Sequence, residues 1–333
     1  MTSSGTLIIS LDFELHWGLF ATVGSDSKYM DNLRNTPAVV EKILKIFEKR
    51  EISATWAIIG LLFAESKAML NAYEPKHKPV YRNESFNPYG VPIGNNEIDD
   101  PIHFASSLIK RIQSLPGQEI ATHTFSHFLC RENGATIEAF LDDLDAAIKI
   151  ARTYNIQFNT IVFPKNQLIK EFISVLPDKG ISVYRGSEKG WMYTKVRGIK
   201  NRKISFLRQL INKAGRYIDA YLPLSGPNTW RTDEIKNSSE QITSVPSSCF
   251  VRPYNSNLKF LEWMKLYRIK SQIKYAARNN EMVHLHWHPH NFGRNIDENL
   301  TLLNDILDCF EQCRKIYNMK SMSINEYSKL LIR

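Results

Sequence analysis

An alternation restricts what this chain can fold into more than any other feature. Short β-rich apolar runs take turns with amphipathic helical patterns along nearly all of its 333 residues. Residues 6–12 form a compact apolar run, and the segment after it carries Val40, Ile43, Leu44 and Phe47 at the i, i+3, i+4, i+7 spacing of one helix face. The pattern continues with a strand at 52–59, a helix at 102–114, a strand at 119–123, a helix at 137–154 and a strand at 158–163. It goes on through a helix at 168–176, strands at 181–185 and 248–253, a helix at 258–279, a strand at 282–288 and a helix at 299–317. About seven β-α repeats of this kind predict a parallel sheet with helices on its faces. The count favours closure into a barrel over an open sheet. Two stretches break the rhythm: 71–100, rich in Pro, Asn and Gly, and 187–246, basic and punctuated by Pro and Gly. The simplest partition is a single catalytic domain over 1–333 with these two as insertions.

Composition removes several classes of function. No apolar run approaches the roughly 20 residues of a membrane-spanning helix. The N-terminal Met-Thr-Ser-Ser-Gly leads straight into an apolar strand, with no basic start and no small-residue cleavage site, so the expected location is the cytoplasm. The four cysteines, Cys130, Cys249, Cys309 and Cys313, form no C-x-x-C pair and are expected as reduced, buried thiols. The formal net charge is +9, with basic density over 195–208 and 265–278. Solvated faces account for such density, as does attraction to an anionic partner such as a sugar pyrophosphate or an acidic membrane surface. No nucleic-acid-binding motif accompanies the charge, and nucleic acid is not expected as a partner.

The polar residues that break into the strand ends define the chemistry. Asp12 and Glu14 stand at the end of the first strand. His123 and His127 follow another, in Ala-Thr-His-Thr-Phe-Ser-His, and His284, His286, His288 and His290 crowd the end of the last. In parallel barrels the strand C-termini converge on one face, where sites are built. Two histidines and a carboxylate make a metal site with open positions for water and substrate. A second carboxylate can take a proton from that water, and a further histidine can protonate a leaving amine. Each motif alone is weak, since paired histidines arise by chance and a D-x-E can cap a helix. Their joint occurrence at strand ends is what gives them meaning.

Ser-Leu-Asp-Phe-Glu, His-Thr-Phe-Ser-His and the terminal His-Pro resemble the first, second and fifth motifs of polysaccharide deacetylases, the NodB-homology enzymes of carbohydrate esterase family four. The resemblance implies a distorted (β/α)7 barrel and a metal-dependent hydrolase that removes an acetyl or formyl group from an amino sugar. It implies one divalent ion, zinc first, with iron, cobalt, nickel and manganese accepted by the same ligands. Carried over by position, Asp12 is the general base and Glu14, His123 and His127 are the ligands. The division of labour between Asp12 and Glu14 stays open because Phe13 separates them. His288 is the acid, with His286 as its rival and a candidate substrate contact. The third motif departs from the family: the segment reads Val-Phe-Pro-Lys-Asn-Gln, and no arginine precedes Pro164. Arg185, at the end of the next strand, is the candidate replacement. Pro164, Lys165 and Asn166 are expected at the substrate, with Trp191 as a wall of the acyl pocket; Trp17 and Trp287 are either sugar-stacking or core residues. The subgroup it looks like accompanies bacterial surface-polysaccharide biosynthesis, which implies a nucleotide- or lipid-linked amino sugar and an enzyme at the inner face of the membrane. The alternatives are a hydrolase of another small amide or ester and a non-catalytic glycan-binding or scaffold barrel. Ferrous oxygenase chemistry uses similar ligands, but on all-β scaffolds.

Overall fold

The computed structural model describes residues 4–190, 192–193, 202–236 and 242–332. Within them nine strands form one sheet with parallel ladders: β1 (Thr6–Phe13), β2 (Ala54–Ile58), β3 (Gln118–Thr122), β4 (Thr160–Ile161), β5 (Val183–Gly186), β6 (Thr243–Pro246), β7 (Cys249–Phe250), β8 (Met282–Trp287) and β9 (Lys320–Met322). The order is β6-β5-β4-β3-β2-β1-β8-β7, with β9 beside the start of β1.

The two ends of that order are neighbours in the chain. Only Ser247 and Ser248 separate β6 from β7. Ser247 donates its N–H to Gly186 O at 3.1 Å on one side, and Ser248 donates to His284 O at 2.8 Å on the other. One bent segment therefore pairs with β5 through β6 and with β8 through β7. The sheet curls strongly, and its wall is that of a distorted (β/α)7 barrel, as the alternation implied.

Burial explains why the strands read as continuous apolar runs. All eight residues of β1 are buried, with the barrel interior on one face and helices on the other. Helix Thr36–Arg50 buries Val39, Val40, Ile43, Leu44 and Phe47, and helix Ile137–Arg152 buries Phe140, Leu144, Ala147, Ile150 and Ala151. No helix among the described residues is long and apolar enough to cross a membrane.

Several elements differ from their sequence-based bounds. The strand expected at 158–163 is reduced to Thr160–Ile161, and the helix expected at 168–176 to Lys170–Ile173. Pro164 together with left-handed Lys165 (φ 52°) and Asn166 (φ 48°) turns the chain early, and Pro177 closes the helix room at the other end. The stretch 187–246 contains helix Arg202–Asp219, helix Thr232–Lys236 and β6, which its Pro and Gly punctuation hides. Trp17 and Trp287 are buried core residues; Trp287 stacks on Phe292 at 5.6 Å, so neither ring face is offered to a sugar. All four cysteines are free and buried. Trp191 lies outside the described residues.

Candidate metal centre

Glu14 stands one residue beyond β1, His123 one beyond β3 and His288 one beyond β8, all at the same mouth of the barrel. Three imidazole nitrogens converge on one oxygen there. From Glu14 Oε1, His123 Nε2 is at 2.9 Å, His127 Nε2 at 3.4 Å and His288 Nε2 at 3.5 Å. The backbone is shaped for this approach. A Cβ on Gly18 would lie 1.9 Å from Glu14 Oε2, so only glycine lets that turn close on the carboxylate.

Proton counting shows what the cluster lacks. His123 Nδ1 is 2.7 Å from Val162 O. A carbonyl only accepts, so Nδ1 carries the hydrogen, and Nε2 is the nitrogen that faces the Glu14 oxygen at 2.9 Å. This second bond fixes the tautomer as it does in metal-ligating histidines. The buried Nε2 of His127 makes no hydrogen bond at all. Glu14, His123 and His127 offer one oxygen and two nitrogens, all within 4.8 Å of one another. A carboxylate oxygen and ring nitrogens gathered this closely in a dry site are the donor set that a cation takes. Orphaned nitrogen, fixed tautomer and donor set together fit a divalent ion.

Asp12 occupies the other flank. Arg185, from β5, donates Nη1 to Asp12 Oδ1 at 2.5 Å and Nη2 to Oδ2 at 2.7 Å, a bidentate buried pair. The same guanidinium donates to Ser10 Oγ and to Asn166 Oδ1, each at 3.1 Å. Burial alone would raise the Asp12 pKa; Arg185, with His123 and His288, outweighs it and holds the carboxyl below its ordinary value. Burial likewise opposes ionisation of Glu14, but His288, His127 and His123 hold its pKa well below the usual carboxylate range. His288 is disfavoured as a cation by burial, yet Glu14 and Asp12 more than offset this and raise its pKa. Its ring is 26% exposed, whereas Asp12 and Glu14 are each 6% exposed, so His288 is the member nearest the open mouth.

His284 and His286 of β8 and His288 just beyond it alternate onto one face and occupy three depths. His284 is deepest, between Ser10 Oγ at 2.8 Å and Pro246 O at 3.1 Å. His286 is paired through Nε2 with Glu188 Oε1 at 2.7 Å, and burial with the nearby Arg185 lowers its pKa. Only His288 reaches Asp12 and Glu14. His290, beyond Pro289, is buried, and burial with neighbouring His288 drives its pKa down to about 3. Pro164 is buried at the head of the turn, Asn166 braces Arg185, and Lys165 lies with its Nζ 4.8 Å over the Phe86 ring.

Two residues that shape the site escaped the sequence reading. Asp143, wholly buried on helix Ile137–Arg152, accepts the Phe125 N–H at 2.7 Å, the Ser126 N–H at 3.1 Å and the Ser126 hydroxyl. It anchors a loop in which Thr124 (φ 65°) and His127 (φ 59°) are both left-handed, a conformation that needs outside support. An aspartate on the helix face of Phe140, Leu144 and Ala147 was the available signal. Glu188, the partner of His286, had no periodic pattern around it to mark it.

No protein-family model matches the chain, and no curated protein matches its sequence. Solved structures do match. The alignment with a protein assigned as a polysaccharide deacetylase from Mycobacterium smegmatis covers 100% of this chain and 92% of that one, at 11% identity and TM-score 0.60. A second assigned polysaccharide deacetylase, from Pseudomonas aeruginosa PAO1, aligns over 97% of this chain and 89% of its own, at 8% identity and TM-score 0.53. The 4-alpha-glucanotransferase of Thermococcus litoralis aligns over 98% of this chain and 40% of its own, at 12% identity and TM-score 0.54. The chain thus has the barrel fold of polysaccharide deacetylases. The same barrel forms part of a sugar-transferring enzyme, so the chemistry must be argued from the site.

Proposed function

We propose that this chain is a metal-dependent hydrolase that removes an N-acyl group, acetyl or formyl, from an amino sugar. The convergence of three histidine nitrogens on Glu14 Oε1 beside an arginine-clamped Asp12 carries the reading. A glycosidic mechanism needs a carboxylic acid kept protonated to assist the leaving group. Asp12, Glu14 and Glu188 are instead all held below the ordinary carboxylate range. The site is rich in bases and has its one raised acid in His288.

Glu14, His123 and His127 would hold the ion, zinc being the first expectation for two imidazoles and a carboxylate. A bound divalent ion there acidifies water and polarises the acyl carbonyl oxygen. Asp12 stays ionised and is fixed in orientation by Arg185, ready to accept a proton from the attacking water. Its depressed basicity suits a water that is already acidified. His288 faces the mouth, its pKa raised by Glu14 and Asp12, and is placed to donate its Nε2 proton to the departing amine. His286 is committed to Glu188 and its pKa is lowered by burial and Arg185, which favours His288 for the acid role.

Elemental analysis of the purified protein beside its His123→Ala variant tests the reading. One divalent ion per chain, lost in the variant, is the expected result. No ion in either protein after incubation with zinc, cobalt, nickel, manganese and ferrous salts would overturn it in favour of a non-catalytic glycan-binding barrel.

A further inference from the structure

Beside the histidine cluster lies a cavity of about 880 Å³ whose walls are cationic. Lys165 comes from the turn after β4, Lys213 and Arg216 from helix Arg202–Asp219, and Arg252 from the chain after β7. Two carboxylates also line it, and both are engaged. Asp219 pairs with Arg268 at 2.6 Å and Glu188 with His286 at 2.7 Å. Lys165, Lys213, Arg216 and Arg252 have no carboxylate within 4.0 Å among the described residues. Two of them are fixed in place: Arg216 donates to Met192 O, and Arg252 donates to Arg216 O, each at 3.3 Å.

The cavity is joined to the reacting groups by single side chains. The Arg252 guanidinium lies 5.9 Å from the Phe250 ring centre, and that ring packs on His288 at 5.6 Å. Asn166 lines the cavity and braces the arginine that clamps Asp12. Four uncompensated cations in one concavity raise the local concentration of anions. The volume is that of a site for a sugar with a charged appendage. We propose that this cavity binds a phosphate or diphosphate carried by the amino-sugar substrate and thereby presents the acyl group to His288 and Asp12. Calling the ligand a substrate rests on the hydrolase reading; the anion site itself rests on the unpaired charges.

Two sources could supply the phosphate, a nucleotide-linked or a lipid-linked sugar. Arg268 also lines a neighbouring apolar cavity of about 510 Å³, walled by Leu222, Trp263, Met264 and Tyr267. Trp263 and Tyr267 are 66% and 68% exposed. A hydrocarbon chain on the phosphate would bury apolar surface against this wall, and a nucleotide would gain less there.

Isothermal titration of the full chain with inorganic pyrophosphate, beside a Lys213→Ala/Arg252→Ala variant, tests the anion site. Each lost charge-assisted contact should weaken binding about tenfold, and the pair about a hundredfold. Equal binding by both proteins would place the anion elsewhere and overturn the inference, as would no binding at millimolar pyrophosphate. If the double variant does not fold, Lys165→Ala and Lys213→Ala, both at exposed positions, are each expected to weaken binding about tenfold. Farnesyl diphosphate and a uridine diphosphate amino sugar then distinguish the sources. Weaker binding of only the prenyl probe by Trp263→Ala identifies the lipid-linked form; tighter binding of the nucleotide sugar, unmoved by that change, identifies the other. Should both probes bind no better than pyrophosphate and ignore the lysine and arginine changes, the inference fails. Hydrolysis of neutral and phosphorylated amides at equal rates, without pyrophosphate binding, would sink the anion site and leave the hydrolase. Charge-dependent pyrophosphate binding with no amide hydrolysed would do the reverse.

Discussion

Around Glu14 three imidazoles converge on one oxygen, while around His103 two imidazoles and a carboxylate are strung in a line. His16 Nε2 donates to Val23 O at 2.9 Å, so its Nδ1 accepts from His103 Nε2 at 2.8 Å, and His103 Nδ1 faces Asp100 at 2.8 Å. Every ring nitrogen in that chain has a partner within hydrogen-bonding distance. Both clusters are buried and both contain histidine and carboxylate, but one pairs each of its ring nitrogens and the other leaves His127 Nε2 without a hydrogen bond. Buried histidine therefore says little until its protons are counted. A linear relay stiffens the wall, and a convergent one defines a site.

The contrast can be broken most forcefully at the convergent cluster. Asp12→Asn keeps the shape and removes the base; activity should fall about 10³-fold, within the range for general-base loss, while metal content is unchanged. Equal loss of metal would make Asp12 a ligand and move the base role to Glu14. Arg185→Lys should follow, with activity down about 10- to 100-fold and metal retained, because a lysine cannot reproduce the bidentate clamp. An unaffected rate would show that Asp12 needs no orienting partner.

Asp143 tests whether the loop carrying His127 is sprung. Burial pushes its pKa up to about 7 from the ordinary 3.8, so the folded chain keeps a proton that the unfolded chain releases. That contribution to stability is complete below pH 3.8 and is lost as pH rises through about 7. At ~1.4 kcal/mol per pH unit, the wild-type chain should lose on the order of 4 kcal/mol across this window relative to Asp143→Asn. Denaturant melts at a series of pH values measure it, and parallel curves for the two proteins would show that Asp143 is ionised throughout.

The smallest effect belongs to the linear cluster. His103→Ala should cost about 1–3 kcal/mol of stability by orphaning its partners, with metal content and turnover intact. Loss of the ion in that variant would erase the distinction between the two clusters.

Much of this was legible in the residues. Asp12, Glu14, His123, His127 and His288 interrupt apolar runs at their C-terminal ends, and parallel topology alone brings such ends together. The alternation of periods fixed the barrel because strands buried on both faces must be apolar throughout. Other features were not legible. The spacing of His284, His286 and His288 puts them on one face but is silent on depth, and depth gives them Ser10, Glu188 and Glu14 as their respective neighbours. Arg185 was a candidate from its place at a strand end, but only the sheet put it across the barrel from Asp12, 173 positions away in sequence. Asp143 was hidden by helix periodicity, and the cationic cavity by a stretch whose Pro and Gly punctuation masks a helix. The sequence by itself determined which residue types stand at the strand ends and hence the chemistry they permit. Only the tertiary structure decided which of them meet, because pairing depends on strand curl and side-chain depth, and local periodicity encodes neither.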